Sequence, residues 1–272
     1  MIRLLAFGDP FLASEDGKHI TGLSRGTRRF AVLIYLTCYG PGRPHRRDQL
    51  VAVFWPESDS RRGRNALRQT LHVIRSQLGP DLLKGNGSDE VWVDPDQLEC
   101  DVGMFQQLLV TGQPEAALQL YRGDFLAGFH LTGAPAFGFW VEEQRAHLRE
   151  LAIRATQNLA YQAEGRRDLP SALYWWRRAL ELHPFDDTFI RRIITLLAAS
   201  GNRGTALAEF NRFRDGLAAE LGLEPSEETL RLLEKVTHEP PQSLPQWHGD
   251  RRRGTAPRSP LHWRRFSDQI PA

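Results

Sequence analysis

The sequence predicts a mainly α-helical protein, with a small head that carries short β-sheets and an all-α body behind it. Three observations predict it. In residues 1–96, short apolar runs and three helical stripes alternate with breaks marked by glycine and proline. In residues 97–239 the pattern is helical throughout, and two stretches repeat at an offset of 34 residues. Charge divides the same way: residues 1–90 carry net +5, 91–240 net −7 and 241–272 net +4, which cancel to the +2 of the 272-residue chain. A basic head on an acidic body suggests a nucleic-acid partner for the head. Three regions follow: 1–96, 97–239, and a basic, Pro-rich tail at 240–272 whose composition predicts disorder.

The head begins with apolar runs at 2–7 (IRLLAF) and 10–14, a turn signal at Glu15-Asp16-Gly17 and a short run at 18–20, which together suggest a small antiparallel sheet. Ser24 is the expected N-cap of a helix over 25–39, with Phe30, Leu33, Ile34 and Thr37 at helical spacing, and Gly40-Pro41-Gly42 ends it. A second helix over 46–54 carries Leu50, Val51 and Phe54, and Pro56 stops it. Ser58 or Asp59 can cap a third helix over 60–78, closed by Gly79-Pro80. On that helix Leu67, Leu71, Ile74 and Leu78 fall within about 60° of one another, a core face. Arg61, Arg64, Asn65, Arg68, His72 and Arg75 occupy an adjoining arc of about 100°, flanked by Gln69. Leu82–Lys84 and Val91–Val93 are then joined by Gly85-Asn86-Gly87-Ser88, a hairpin signal.

Strands, three helices and a hairpin, in that order, make a winged helix-turn-helix, with 56–60 as its turn. Arg, Asn and Gln are the side chains that read guanine and adenine edges in a major groove. Between Arg43 and Arg75 there are eight arginines against three acids. The third helix is therefore expected in the major groove, with Arg64, Asn65 and Arg68 on base edges and Gln69 and His72 beside them. Arg61, Arg75 and Lys84 are expected on phosphates. Arg46, Arg47 and the wing, including Asn86, are expected to touch the backbone, since backbone contacts position and base contacts specify.

The body predicts helices at 104–110, 114–121, 139–163, 169–182, 187–200, 204–221 and 226–236. Ala172-Leu173 with Trp176 recurs as Ala206-Leu207 with Phe210, after turns at Gly165 and Gly201, and the offset is the tetratricopeptide period. A weaker third copy, GQPEAALQLY, precedes them. Stacked helix pairs of this kind present a surface to peptides or to other protomers.

Other classes find little support. No apolar stretch approaches the ~20 residues of a membrane span, and the N-terminal apolar run is too short for a signal peptide, so a cytoplasmic location is expected. Cys38 and Cys100 cannot form a disulfide framework or a Cys-rich zinc site. Asp94, Asp96, Glu99 and Asp101 lack the glycine and glutamate of a calcium loop, so a capped turn is expected. No phosphate-loop, H-E-x-x-H or G-x-S-x-G motif occurs, and neither enzymatic activity nor a cofactor or metal is expected. The rival to a sequence-specific regulator is a tetratricopeptide-type adaptor with only nonspecific DNA affinity.

Taken together the motifs resemble the SARP-type bacterial transcriptional activators, in which an OmpR/PhoB-like winged helix precedes a bacterial transcriptional activation domain (BTAD). The head segment LVAVFWPESDSRRGRNALRQTLHVIRSQLG, ending Ile74-Arg75-Ser76-Gln77-Leu78-Gly79, is similar to the family's second and recognition helices. YRGDFLAGF (121–129), FWVEEQRAHLRE (139–150), ALELHPFDD (179–187) and LGLEPSEETLRLL (221–233) are similar to its activation-domain signatures. The resemblance covers about residues 2–238. It implies binding to double-stranded promoter DNA, recruitment of RNA polymerase and self-association through the helical domain.

Overall fold

A computed structural model describes residues 1–23, 26–40, 42–87 and 89–238. The expected Ser24 cap, Ser88 at the wing tip and the 240–272 tail lie outside the described residues. Two small sheets and three helices make the head. Strand β1 (Ile2–Leu5) pairs antiparallel with β2 (Phe11–Ala13). Helix α1 (Arg28–Cys38) is capped by Thr27, whose hydroxyl accepts from the Phe30 N–H at 3.3 Å. It starts later than the expected residue 25, because Gly26 enters the turn at φ +75°, outside helical space. The short strand β3 (His45–Arg46) runs directly into α2 (Arg47–Phe54). Helix α3 (Ser60–Leu78) has the bounds the sequence predicts; of its two candidate caps Asp59 is used, accepting from Arg62 N–H at 2.8 Å.

The wing is the antiparallel pair β4 (Leu83–Lys84) and β5 (Glu90–Val93), and β5 also pairs with β3. The three helices bury Phe30, Leu33, Ile34, Leu50, Phe54, Leu67, Leu71 and Ile74, each no more than 1% exposed. These apolar rows at helical spacing hold α3 while its opposite face stays in water.

Beyond the wing, β6 (Leu98–Cys100) pairs parallel with β1, and it leads into α4 (Asp101–Val110) and α5 (Pro114–Leu120). The chain then forms α6 (Pro135–Gly165), α7 (Leu169–Leu182), α8 (Asp187–Ala199), α9 (Arg203–Leu221) and α10 (Glu227–His238). Two compact units result, residues 1–151 and the chain from Ala152 on, whereas the composition changes near residue 96. The reason is the packing of residues 97–151. Buried Asp101 accepts from Ala6 N–H at 2.8 Å and Phe7 N–H at 3.2 Å, and Leu126 N–H donates to the Ala6 carbonyl at 2.8 Å. Trp140 packs edge-on against Tyr35 of α1 with ring centroids 4.8 Å apart. Asp94 closes the expected turn, accepting from Asp96 N–H at 3.1 Å.

The second unit is built of helical repeats around a core of Ala172, Trp176, Phe189, Ile190, Ile193, Ala206 and Phe210. Its turns have a common backbone. At the end of α8, Asn202 N–H reaches the Leu197 carbonyl at 2.8 Å; at the end of α6, Asp168 N–H reaches Ala163 at 2.9 Å. The same bond, Gln113 N–H to Leu108 at 2.8 Å, ends α4 in the first unit. In each case the preceding residue is left-handed: Gly201 at φ +80°, Arg167 at +58° and Gly112 at +74°. The residue equivalent to Gly201 is thus Arg167, not the expected Gly165, which is still helical. With that alignment Ala117, Ala172 and Ala206 all follow five residues later, fully buried, and Tyr121, Trp176 and Phe210 four after that, no more than 3% exposed. The weak third copy therefore has the same framework as the other two.

Candidate nucleic-acid interface

Helix α3 is long for its site, 19 residues or about 28 Å at 1.5 Å per residue. It can lie close against α2 because Gly63 is at the crossing: a Cβ there would come within 2.5 Å of Val51 Cγ1. Gly79, at φ +113°, ends it. No Asp or Glu occurs within α3.

Arg61, Arg64, Asn65, Arg68, Gln69 and His72 are all exposed on this helix, on the arc adjoining the buried Leu67, Leu71 and Ile74. Their neighbours differ. Arg64 forks onto Asp48 of α2, with Nε and Nη2 at 3.3 and 3.1 Å from one carboxylate oxygen. Both side chains are exposed, so this bridge is worth only about 0–1 kcal/mol and a stronger anion can displace it. Arg68 donates from Nη1 to the Asn65 amide oxygen at 3.1 Å, which aligns the two side chains along the helix. Arg61, Gln69 and His72 have no hydrogen-bond or ion-pair partner among the described residues. Arg62, absent from the expected set, is exposed too, but Asp59 holds it at 3.3 Å.

Around the base of the wing the expected residues separate into two groups. Arg75 is half-buried and donates through Nε and Nη2 to the Leu83 carbonyl at 3.4 and 3.2 Å, tying the end of α3 to β4. Burial, and then the charge of Arg47, push its pKa below the ordinary value. The Arg47 Nε is itself buried without a hydrogen-bond partner. Its Nη2 lies 3.7 Å from where a Cβ on Gly85 would stand, so the bare glycine leaves the guanidinium room beside the wing. Two guanidinium groups thus share one corner of the head. Lys84, by contrast, is turned to Asp81 and Asp94, each 3.6 Å away. Arg46 and Asn86 are exposed, Asn86 at the tip of the hairpin. The nearness of Arg47 to Arg75 had no signal in the sequence, 28 positions apart on different helices.

Among the described residues no cluster of three or more His, Cys, Asp or Glu side chains could hold a metal ion. No helix among them is long and apolar enough to cross a membrane.

Residues 110–237 match the family model described as "Bacterial transcriptional activator domain". No curated relative matches the sequence significantly. Among solved structures, the chain is similar to one described as Mycobacterium tuberculosis EmbR in complex with a low-affinity phosphopeptide, with a TM-score of 0.57 at 20% identity. The alignment covers 87% of this chain and 65% of that one, so this chain spans slightly less than two thirds of EmbR's length. At that identity the likeness establishes the fold, a small β-containing head followed by helical repeats. Residues 110–237 thus carry the match to a bacterial transcriptional activator domain, within a fold similar to that of EmbR.

Proposed function

We propose that the protein is a sequence-specific DNA-binding activator that reads promoter DNA through α3 and works in the cytoplasm. The observation that carries this reading is the acid-free, solvent-facing side of α3. There Arg61, Arg68, Gln69 and His72 stand without a carboxylate partner, on a helix whose other side is locked into the core. A helix of about 10–12 Å diameter fits the major groove, about 12 Å wide, and Arg and Gln are suited to guanine and adenine edges there. In this reading Arg64, Asn65 and Arg68 contact bases, with Gln69 and His72 alongside. A guanine edge takes the place of Asp48 as the acceptor for Arg64. Arg46, Arg47, Arg61, Arg75, Asn86 and Lys84 bracket the groove on the backbone. Of these Arg47 is the most favourable, because its Nη2 stands beside the bare Gly85 at the base of the wing, where a phosphate oxygen has room to approach. Arg75 and Lys84 contribute field more than direct contacts, since protein oxygens already hold them.

The division of labour proposed for the rest is that the first 96 residues dock on double-stranded promoter DNA. The repeats serve self-association on that DNA and contact with RNA polymerase, through the surfaces that stacked helix pairs present.

Footprinting on DNA upstream of the protein's own and neighbouring genes, followed by titration on the protected fragment, tests the proposal. A specific site should bind ~10³-fold or more tightly than random DNA at the same salt. Arg68→Ala should cost about 1–3 kcal/mol and relax the preference at one base position. Arg47→Ala should weaken all sequences alike and reduce the salt slope by about one unit. If the Arg64→Ala/Arg68→Ala double variant bound the protected fragment as well as the unchanged protein, α3 would not be the reading helix. If no fragment were preferred over random DNA, the adaptor reading would replace this one.

A further inference from the structure

The two cysteines of the chain lie 62 positions apart, at the C-terminal end of α1 and at the end of β6, yet their sulfurs are 3.5 Å from each other. They differ in surroundings: Cys100 is buried, 7% exposed, and Cys38 is partly exposed. We propose that Cys38 and Cys100 are a dithiol modification site that a hydroperoxide converts to an intramolecular disulfide, clamping α1 to the β1–β6 edge of the head.

Three features support the pair as reactive and not as two small packing residues. The first is distance. A disulfide needs its sulfurs near 2.05 Å, so closure requires about 1.5 Å of approach from the observed 3.5 Å. The second is the division of roles. A redox-responsive pair needs an accessible sulfur to meet the oxidant and a sheltered one to resolve it. Cys38 is the accessible one; the hydrogen bond with Cys38, and then burial, hold the Cys100 thiol well above its ordinary pKa. The third is a proton acceptor: Cys100 Sγ donates toward Asp101 Oδ1 at 3.7 Å.

The chemistry balances in two steps. The Cys38 thiolate attacks the terminal peroxide oxygen; the S–O bond forms, the O–O bond breaks, and the departing alkoxide or hydroxide takes a proton to leave as alcohol or water. Cys38 is then a sulfenic acid. Cys100 Sγ next attacks the Cys38 sulfur, and its proton passes to the departing hydroxide, directly or by way of Asp101; the S–S bond forms, the S–O bond breaks and water leaves. Two thiols are oxidised and one peroxide is reduced. A thiol reductant reverses the clamp by exchange.

The site does not depend on DNA binding, so its chemistry can be measured on the free protein. The full chain is treated with hydrogen peroxide, quenched, denatured in an alkylating reagent and mapped by mass spectrometry, with and without prior dithiothreitol. The reduced protein should carry alkyl groups at both cysteines. The peroxide-treated protein should carry none, contain a linked Cys38–Cys100 peptide pair within one chain, and melt at a higher temperature than the reduced form. Dithiothreitol should restore both the alkylation and the lower melting temperature. In Cys100→Ser, peroxide should carry Cys38 past sulfenic acid to the sulfinic and sulfonic acids; in Cys38→Ser, Cys100 should stay alkylatable. The proposal is overturned if both cysteines of the unchanged protein remain alkylatable after peroxide. It is equally overturned if the only disulfide links two chains, or if Cys38 reaches sulfonic acid while Cys100 stays free.

Discussion

In the repeat body, carboxylates on nearby turns or facing helices answer the arginines. Arg177 meets Glu209 at 3.0 Å, Arg178 meets Glu181 at 2.7 Å, Arg191 meets Glu228 at 3.3 Å and Arg212 meets Glu209 at 3.2 Å. On α3 the same residue type is left largely unanswered. The helix carries no acid; among the described residues Arg61 has no partner, Arg68 and Arg75 donate to uncharged oxygens, and Arg62 and Arg64 meet carboxylates, Asp59 and Asp48, that lie outside the helix. An exposed arginine next to a carboxylate is a solvated, nearly neutral surface whose pairing adds only about 0–1 kcal/mol. An exposed arginine without one leaves its field available to an outside anion. Counting arginines does not distinguish the two uses. What distinguishes them is where the carboxylates stand.

The largest expected effect lies in the body, where apolar packing and not charge holds the helices. Trp176 is fully buried, packs edge-on against Tyr161 and tilted against Phe189 with ring centroids 4.9 and 5.8 Å away, and donates its indole N–H to Glu164 at 2.6 Å. Trp176→Ala should cost about 3–5 kcal/mol, read by urea unfolding. A cost below about 1 kcal/mol would mean that the repeats are not held by the aromatic residue at this position of the motif. Charge reversal comes next and sharpens the contrast directly. Arg61→Glu puts the first acid on α3 and should lower affinity for any DNA about tenfold or more at low salt, with a smaller salt slope. Arg178→Glu, the same change within an answered pair, should leave DNA affinity unchanged. Equal losses for the two variants, measured by anisotropy on one duplex, would remove the distinction between the two kinds of arginine.

The two regions were also unequally legible in the sequence. Helix α3 could be read to the residue because its signals are local: Asp59 before it, Gly79 after it, and a stripe of Leu67, Leu71 and Ile74 within it. The helices of the body could be read for the same reason, to within a few residues. What could not be read depends on partners far along the chain. β6 is three residues long and acquires its meaning only by lying parallel to β1. Residues 97–151 join the first unit through Asp101 and Trp140, whose partners are residues 6, 7 and 35. In the site itself, residue type and helical spacing gave the exposed face, but the Asp48–Arg64 bridge and the Leu83 carbonyl that holds Arg75 belong to neighbouring elements. The 34-residue offset of the repeats holds, but one turn slipped by two residues, to Gly165, because Arg167 occupies a left-handed position where the other two copies have glycine.

That slip gives a test of medium size. A side chain in the left-handed region costs about 1–2 kcal/mol that glycine avoids. Arg167→Gly should therefore stabilise the body by about 1 kcal/mol, after allowing for the greater freedom that glycine adds to the unfolded chain. Gly201→Ala, at the equivalent turn, should destabilise it by about as much. Urea unfolding of the two variants should move in opposite directions. Movement in the same direction would mean that the two turns are not equivalent.

The smallest expected effect is the order in which the two units respond to acid. His45, on β3 of the head, is 6% exposed, its Nε2 has no partner, and the nearest aromatic neighbours, Tyr35 and Tyr39, offer no negative charge. Burial pushes its pKa below the ordinary 6.5. The folded head thus prefers the neutral imidazole, and the stability linked to it is complete above pH 6.5 and is lost as pH falls through the lowered value. In the body, burial alone would raise Asp187. Hydrogen bonds from Thr229 and Ser226, together with the charge of Arg191, outweigh burial and hold the carboxyl below its ordinary 3.8. Its contribution is therefore intact above pH 3.8 and lost only as pH falls through that lower value. Lowering the pH from neutrality should loosen β3 and β5 before α8 and the start of α10, as followed by hydrogen exchange of peptides from each element with intrinsic rates corrected for pH. His45→Asn should remove the earlier step and leave the later one, and Asp187→Asn should do the reverse. Simultaneous loosening of both elements, unaffected by either substitution, would show that neither side chain governs the acid response of its unit.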